Sequence, residues 1–128
     1  MRILGLVAIA ALMIPLGSCG ALQKLSSTEV PYSAILVAAN GVDAAETAAK
    51  NFVVYCTPNP APKGCDDSVI KTKIVPAVKD VRTARNAALK FVTDNPNATF
   101  GPSTLTDAVS TAVTALHAIL TQNNIPTN

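Results

Sequence analysis

The sequence predicts an all-α fold, an antiparallel three-helix bundle with one disulfide in the first helix–helix loop. Residues 29–55, 67–93 and 104–122 repeat apolar or small side chains at alternating intervals of three and four, the period of a packed helix face. Short connectors rich in Pro, Asn and Gly separate these stretches. Cys56 and Cys65 flank the first connector. No strand is predicted, because period-two alternation is absent.

An export signal is predicted before the bundle, as a cleavable signal helix. Arg2 gives a positive start, residues 3–16 are almost wholly apolar, and two small residues follow. The apolar stretch is shorter than the roughly twenty residues that a permanent membrane span needs. We therefore expect residues 1–18 to be a signal peptide.

The segment Leu16-Gly17-Ser18-Cys19 resembles the lipobox of bacterial lipoproteins, in which Leu stands three residues before the Cys. The resemblance, which covers only the first twenty residues, implies that the Cys19 thiol receives a diacylglycerol and that Cys19 becomes the first residue. Residues 19–28 would then be a lipidated tether, and residues 29–124 the three-helix domain. By the same resemblance, Gly20 implies sorting to the outer membrane, facing the periplasm. The alternative is an ordinary secretory signal that leaves Cys19 a free thiol.

The number of cysteines, three, agrees with this prediction. If Cys19 carries lipid, Cys56 and Cys65 remain as a pair, and export would place them where a disulfide persists. Three prolines in the connector between them exclude a helix there. A metal or redox pair is the alternative, but redox motifs prefer two intervening residues and zinc needs more ligands than this chain supplies.

The first predicted helix covers residues 29–55. Ser26 and Glu29 have the spacing of a capping box, which places the helix start here. Gly41 lies in the interior, where Gly costs about 1 kcal/mol, so a kink or break is expected. The stripe expected to face the core is Tyr32, Ile35, Ala39, Val42, Glu46, Ala49, Val53 and Cys56.

The second predicted helix covers residues 67–93, and Asp66 and Asp67 suit its positive N-terminal end. Pro76 lies inside it and removes a helical hydrogen bond. Either the helix kinks there, or a short helix ends at Ile74 and another begins at Pro76. The expected core stripe is Ile70, Ile74, Ala77, Val81, Ala84, Ala88 and Phe91.

The third predicted helix covers residues 104–122, with Ser103 as its N-cap. Its core stripe is Leu105, Val109, Ala112, Leu116 and Ile119, widened by Ala108, Val113 and Leu120. The opposite face is rich in hydroxyl groups, and Asp107 is its only charge. Such a face could lie against a partner or a second copy, or could reflect composition alone. The candidate partner contacts are four hydroxyl residues of this helix and one lysine of the cysteine loop: Thr106, Ser110, Thr114, Thr121 and Lys63.

Few residues suit catalysis, and no catalytic residue, metal ligand or cofactor site is predicted. His117 is the only histidine and is expected to be exposed. Glu46 on the first core stripe is either a buried acid that marks a site or an ordinary residue, which the helix turns away from the core by a slight rotation near Gly41 or which pairs with Arg82 or Arg85. An enzyme would need Glu46, His117 or Asp80 to converge in one cleft.

Positive charge is concentrated on the second helix, at Lys71, Lys73, Lys79, Arg82, Arg85 and Lys90. This is either a solvated face or a patch for anionic lipid or an acidic partner. The net charge is only +2. No basic patch with interleaved aromatics exists, which gives no support for nucleic-acid binding.

The preferred hypothesis is a membrane-anchored, non-catalytic envelope lipoprotein that binds another macromolecule, in an adaptor, accessory or receptor-blocking role. A protein partner in the envelope is expected, besides the membrane itself. The first alternative is a small-molecule carrier with an apolar cavity near the aromatic residues Tyr32, Phe52, Phe91 and Phe100. The second is an enzyme of unknown class.

Overall fold

The structure, a computed structural model, describes residues 28–127, which are mostly helical. The predicted signal peptide, Cys19 and residues 20–27 lie outside the described residues. The elements in chain order are strand β1 (Glu29–Pro31), helices α1 (Tyr32–Asn40), α2 (Asp43–Tyr55) and α3 (Asp67–Val69), a π-helical turn (Ile70–Ile74), helix α4 (Val75–Asp94), strand β2 (Phe100–Pro102) and helix α5 (Ser103–Gln122).

The beginning of the described chain forms a strand, so the prediction that a helix starts at Glu29 was wrong. β1 pairs antiparallel with β2, with Val30 opposite Gly101. Next to the strand pair, the Tyr32 N–H donates to the Thr99 carbonyl at 3.0 Å, and the Ser103 N–H donates to the Thr28 carbonyl at 3.1 Å. Both helices that follow the strands therefore begin with a satisfied backbone donor. Strands of three residues are too short to show alternation in sequence.

The expected weak point at Gly41 is a break between α1 and α2. Gly41 closes α1, and its N–H donates to the Val37 carbonyl at 2.9 Å. The chain resumes as α2 at Asp43. Val42, in the break itself, is fully buried, so the core-facing stripe continues across the interruption.

The second helical stretch begins as predicted, with Asp66 as its N-cap. One Asp66 carboxylate oxygen accepts hydrogen bonds from the Ser68 N–H at 2.8 Å and the Val69 N–H at 3.3 Å. These bonds satisfy donors that a helix start leaves open, and the negative charge suits the helix dipole.

The stretch changes helix type just before Pro76, and its helical backbone continues through Ile74 and Val75 instead of ending at Ile74. The chain forms a π-helical turn, in which the Val75 N–H donates to the Ile70 carbonyl, and α4 then carries Pro76 in its first turn. A proline has no N–H for the carbonyl four residues earlier, and its ring would collide with that group. The wider π turn accommodates this proline without ending the helical backbone.

Helix α5 begins one residue earlier than predicted. Pro102 occupies the N-cap position and no side chain caps the helix, so the prediction of Ser103 as N-cap was wrong. Ser103 is buried instead, because pairing of the neighbouring strands draws its backbone toward Thr28.

The core lies between the helices and matches the predicted stripes. Ile35 of α1, Val81 of α4 and Leu116 of α5 are fully buried. Within residues 28–127, the buried apolar residues are Ile35, Ala39, Val42, Ala45, Ala48, Ala49, Ile74, Ala77, Val81, Ala88, Val109, Leu116, Leu120 and Ile125. Because many of these are alanines, the side chains between the helices are small. The stripes did not include Ala45, Ala48 or Ile125.

The strand pair is packed against this core through Gly101. A Cβ atom at Gly101 would lie 2.5 Å from Ile35 Cδ1 and 2.5 Å from Phe91 Cε1. Real Cβ atoms do not approach other heavy atoms so closely, so only glycine fits here without rearrangement. At the same end of the molecule, the Tyr32 hydroxyl donates to the Val92 carbonyl at 3.0 Å.

The chain after α5 turns back onto the core. Asn124 adopts a positive φ of 54°. The Asn124 N–H donates to the Thr121 carbonyl at 3.0 Å, and the Ile125 N–H donates to the Leu120 carbonyl at 2.9 Å. This pair of bonds is the Schellman motif, with Asn in the left-handed position. It buries Ile125 beside the end of α5.

Candidate functional site

The disulfide is present as predicted. Cys56 and Cys65 are bonded, with their Cα atoms 5.5 Å apart. The bond joins the end of α2 to the segment that enters α3. Closing a loop of this size stabilises the fold by about 2.7 kcal/mol in the chain-entropy treatment.

A cleft of about 520 Å³ lies beside the disulfide loop, and we name it the disulfide-end cleft. It lies between the last turns of α2, the disulfide loop and the turn that follows α5. The side chains that give it its chemistry are Asn51, Phe52, Tyr55, Lys63, Asn123 and Asn124.

This cleft combines apolar and hydrogen-bonding groups. Phe52 is half-buried, whereas Tyr55 is more than half exposed and offers both a ring and a hydroxyl group. The Asn123 amide nitrogen donates to the Ile119 carbonyl at 2.7 Å, which fixes that side chain at the edge of the cleft. Lys63 is exposed and adds a positive charge. The arrangement suits recognition by contact and hydrogen bonding.

The cleft and the strand pair lie at opposite ends of α5. Ser103, the first residue of α5, is bonded to Thr28, and Asn123, the residue after its last, lines the cleft. A helix of 20 residues is about 30 Å long. The point where the described chain begins is therefore about 30 Å from the cleft.

The predicted partner contacts fall on two separate surfaces. Lys63 lines the disulfide-end cleft. The hydroxyl residues Thr106, Ser110, Thr114 and Thr121 lie along α5 and do not line that cleft. Ser110, Thr114 and Thr121 are exposed. Thr106 is half-buried, and its hydroxyl donates to the Ser103 carbonyl at 2.7 Å.

A second surface of α5 was missed by sequence reasoning. An open groove of about 1070 Å³ runs between α4 and α5, and Thr104, Ala108 and Thr111 contribute to it. At 3.6 residues per turn, Ala108 and Thr106 point to opposite sides of the helix. The hydroxyl groups of α5 are thus divided between the groove and the outer face. The available signal in the sequence was the alanines that lie outside the predicted core stripes, such as Ala87 and Ala115.

Glu46 takes part in ion pairs between α2 and α4, which confirms the prediction that it pairs with Arg82 or Arg85. The Arg82 Nε donates to Glu46 Oε2 at 3.2 Å, and Arg85 Nη1 lies 3.9 Å from Glu46 Oε1. Arg85 also donates to Asp43 at 3.2 Å. The Glu46 side chain is only 15% exposed. Its role in the structure is to bridge two helices.

Most of the positive charge on the second helical stretch is compensated. The ion pairs there are Lys71–Asp67, Arg82–Glu46, Arg85–Asp43 and Lys90–Asp94. Lys73 and Lys79 form no ion pair with any residue in 28–127. Of the two alternatives for this face, a basic patch would have only these two uncompensated ammonium groups, which favours the solvated face.

The residues proposed for an enzyme do not converge. Asp80 lines the groove between α4 and α5, and Glu46 lies between α2 and α4. His117 is half-buried on α5 and lines neither of these spaces. The prediction that His117 is exposed was wrong, because its side chain is partly covered. Across residues 28–127, no group of three or more His, Cys, Asp or Glu side chains is placed to hold a metal ion.

The aromatic residues expected around a carrier cavity are also separated. Tyr32 and Phe91 pack at the strand-pair end, where Phe100 is exposed on β2. Phe52 lies at the other end, in the disulfide-end cleft. A single cavity lined by these aromatics, which the carrier hypothesis assumed, does not exist in the described part of the chain.

No helix within residues 28–127 is both long and apolar enough to cross a membrane. The chain matches no protein-family model, and no curated protein or solved structure is significantly similar to it.

Proposed function

We propose that this protein is a non-catalytic lipoprotein of the bacterial cell envelope that binds another macromolecule through the disulfide-end cleft. The observation that carries the proposal is the separation of the two ends of α5. A chain that is anchored ahead of Thr28 enters the fold at the strand pair, about 30 Å from the cleft. The anchor and the recognition surface would therefore not compete for space.

The anchor is Cys19, on the lipobox resemblance. Lipid on that residue leaves a tether of residues 19–28 before β1, and an extended chain spans at most about 3.5 Å per residue. Stable anchoring needs more than one acyl chain, which lipoproteins of this class carry. Gly20 favours the outer membrane, with the domain facing the periplasm, where the Cys56–Cys65 disulfide would persist.

The proposal also covers the arrangement of the helices. We propose an antiparallel three-helix bundle that follows a cleaved signal helix. Two features support this arrangement. The disulfide connects the end of α2 to the start of the next helical stretch, and the strand pair brings the starts of α1 and α5 together. Both are expected when short loops join antiparallel neighbours.

The composition of the cleft favours a protein partner. Tyrosine is enriched in protein interfaces because it offers large contact area together with a hydrogen-bonding group. Tyr55 is 55% exposed, with the amides of Asn51 and Asn124 on the same cleft. An exposed ring surrounded by amide donors and acceptors suits a polar peptide segment or loop of a partner.

The anchor is tested by expressing the full chain and a Cys19→Ala variant in a double-membraned bacterium that is fed an alkyne-labelled fatty acid. We expect label and detergent-dependent extraction for the native chain and neither for the variant. Mass spectrometry of the purified native chain can detect the contradicting outcome. An intact Met1 together with three free thiols would contradict export, lipidation and the disulfide.

The recognition surface is tested with a photo-crosslinking amino acid at one position at a time in living cells. We expect Lys63, in the disulfide-end cleft, to capture one defined envelope protein. Asn95, which is exposed at the strand-pair end, should capture none. A Tyr55→Ala change should abolish capture. Crosslinking from Thr114 instead would assign the partner to the outer face of α5 and would overturn the choice of the cleft.

A further inference from the structure

A second cleft, of about 330 Å³, lies between α2 and α4, and we name it the interhelical cleft. Its apolar lining consists of Ala49, Val53, Val54, Ile74, Val75 and Val78. Val54 is 61% exposed and Val75 is 53% exposed, so branched apolar side chains from both helices face open space. The interhelical cleft is distinct from the disulfide-end cleft and shares no lining residue with it.

The rim of the interhelical cleft is positively charged. The charged residues that line it are three cations, Lys50, Lys79 and Arg82, and one carboxylate, Glu46. Arg82 already donates to Glu46. Lys50 and Lys79 form no ion pair with any residue that the structure describes. The interhelical cleft thus offers two uncompensated ammonium groups beside an apolar surface.

Ion pairs hold the two helices on either side of this cleft. Glu46 and Asp43 of α2 receive hydrogen bonds from Arg82 and Arg85 of α4. These bridges fix the spacing of the helices without filling the space beyond them, where only small and branched side chains face each other. The volume is at the small end of the range for small-molecule sites. A single narrow chain fits such a space, whereas a second helix does not.

We propose that the interhelical cleft binds a fatty-acid anion. The alkyl chain would lie along the valine-rich lining, and the carboxylate would lie between Lys50 and Lys79. Burial of apolar surface supplies the affinity, at about fourfold for each CH₂ group removed from water. The ammonium groups supply the selectivity for a negative head group. This proposal is independent of the anchor at Cys19 and of the partner at the disulfide-end cleft.

The test is titration of the ¹⁵N-labelled full chain with dodecanoate, below the concentration at which it forms micelles. We expect saturable shifts of the backbone amides of Val54, Val75 and Val78. Butyrate, with the same head and a short tail, should shift them at least tenfold more weakly. Dodecyltrimethylammonium, with the same tail and a positive head, should not saturate these amides.

Variants separate the cleft from other apolar segments of the chain. Lys50→Gln combined with Lys79→Gln should weaken dodecanoate binding at least tenfold, and Val75→Trp should block it by filling the cleft. Lys73→Gln removes another unpaired lysine, outside the interhelical cleft, and should leave binding unchanged. Amide spectra of all variants show whether the fold is retained. Equal binding by the cationic amphiphile, unchanged binding by the double variant, or no dodecanoate binding would each overturn the proposal.

Discussion

Single residues in this protein act through neighbours that are distant in sequence. Gly101 illustrates this, because its lack of a side chain admits Ile35 from α1 and Phe91 from α4. Ile125 is another case, because it is buried in a core that it shares with residues from all the helical stretches. The close approach at Gly101 leaves no local pattern in the sequence.

Replacement of Gly101 by alanine should destabilise the fold by about 1–3 kcal/mol, because the added methyl group would overlap two packed side chains. Urea unfolding followed by circular dichroism measures this loss. Gly41→Ala is the matched control. Gly41 has right-handed helical angles, and the atom nearest to a new Cβ is the Val37 backbone oxygen at 3.3 Å, which is a tight contact without the overlap found at Gly101, so this change should cost less. Equal losses in both variants would contradict the packing explanation.

Sequence reasoning succeeded for residues whose neighbours were implied by helix periodicity. Glu46, at a core position of its stripe, was expected either to be a buried acid that marks a site or to pair with Arg82 or Arg85, and the structure shows contacts to both arginines. The disulfide followed from the cysteine count and the export signal. The disulfide-end cleft did not follow, because it is formed by three segments that no single periodicity connects.

At the scale of elements, the positions at which the helices are interrupted were predictable from the sequence, but the backbone conformation at those positions was not. Gly41 and Pro76 were both expected to disturb a helix. The sequence could not distinguish a kink from a break, since that choice depends on which backbone groups find partners. Val75 finds the Ile70 carbonyl, so the second stretch continues as a π turn. The strands were missed because each is only three residues long and pairs only with the other strand, which is distant in sequence.

The contribution of the disulfide bond to stability can be predicted from the size of the loop that it closes. Reduction, or Cys56→Ser combined with Cys65→Ser, should lower the free energy of unfolding by about 2.7 kcal/mol by releasing the denatured chain. Urea unfolding with and without reductant measures the effect. Reductant should leave the double serine variant unchanged. A reductant effect that persists in that variant would mean that the bond is not its cause.

At the scale of the whole molecule, one core is shared by all three helical stretches. Its residues come from α1, α2, the π turn, α4, α5 and the turn that follows. Because alanines occupy many of these positions, the few large buried side chains contribute a correspondingly large share of the apolar area. We therefore expect unfolding in one cooperative transition.

Leu116→Ala tests the shared core. Leu116 is fully buried, and its truncation should cost about 2–5 kcal/mol, a large part of the total stability of a small domain. Differential scanning calorimetry should show one transition at a lower temperature. Leu36→Ala, at a position that is 37% exposed, is the control and should cost less. Two separate transitions in either variant would contradict a single core.

The strand pair has a mechanical consequence. If the chain is held ahead of Thr28 and pulled from its far side, tension enters through β1, which is three residues long. The bonds between Thr28 and Ser103 and between Tyr32 and Thr99 would bear the load before any helix does. Stretching should therefore separate the two short strands at low force, while the disulfide keeps the end of α2 connected to the start of the next helical stretch.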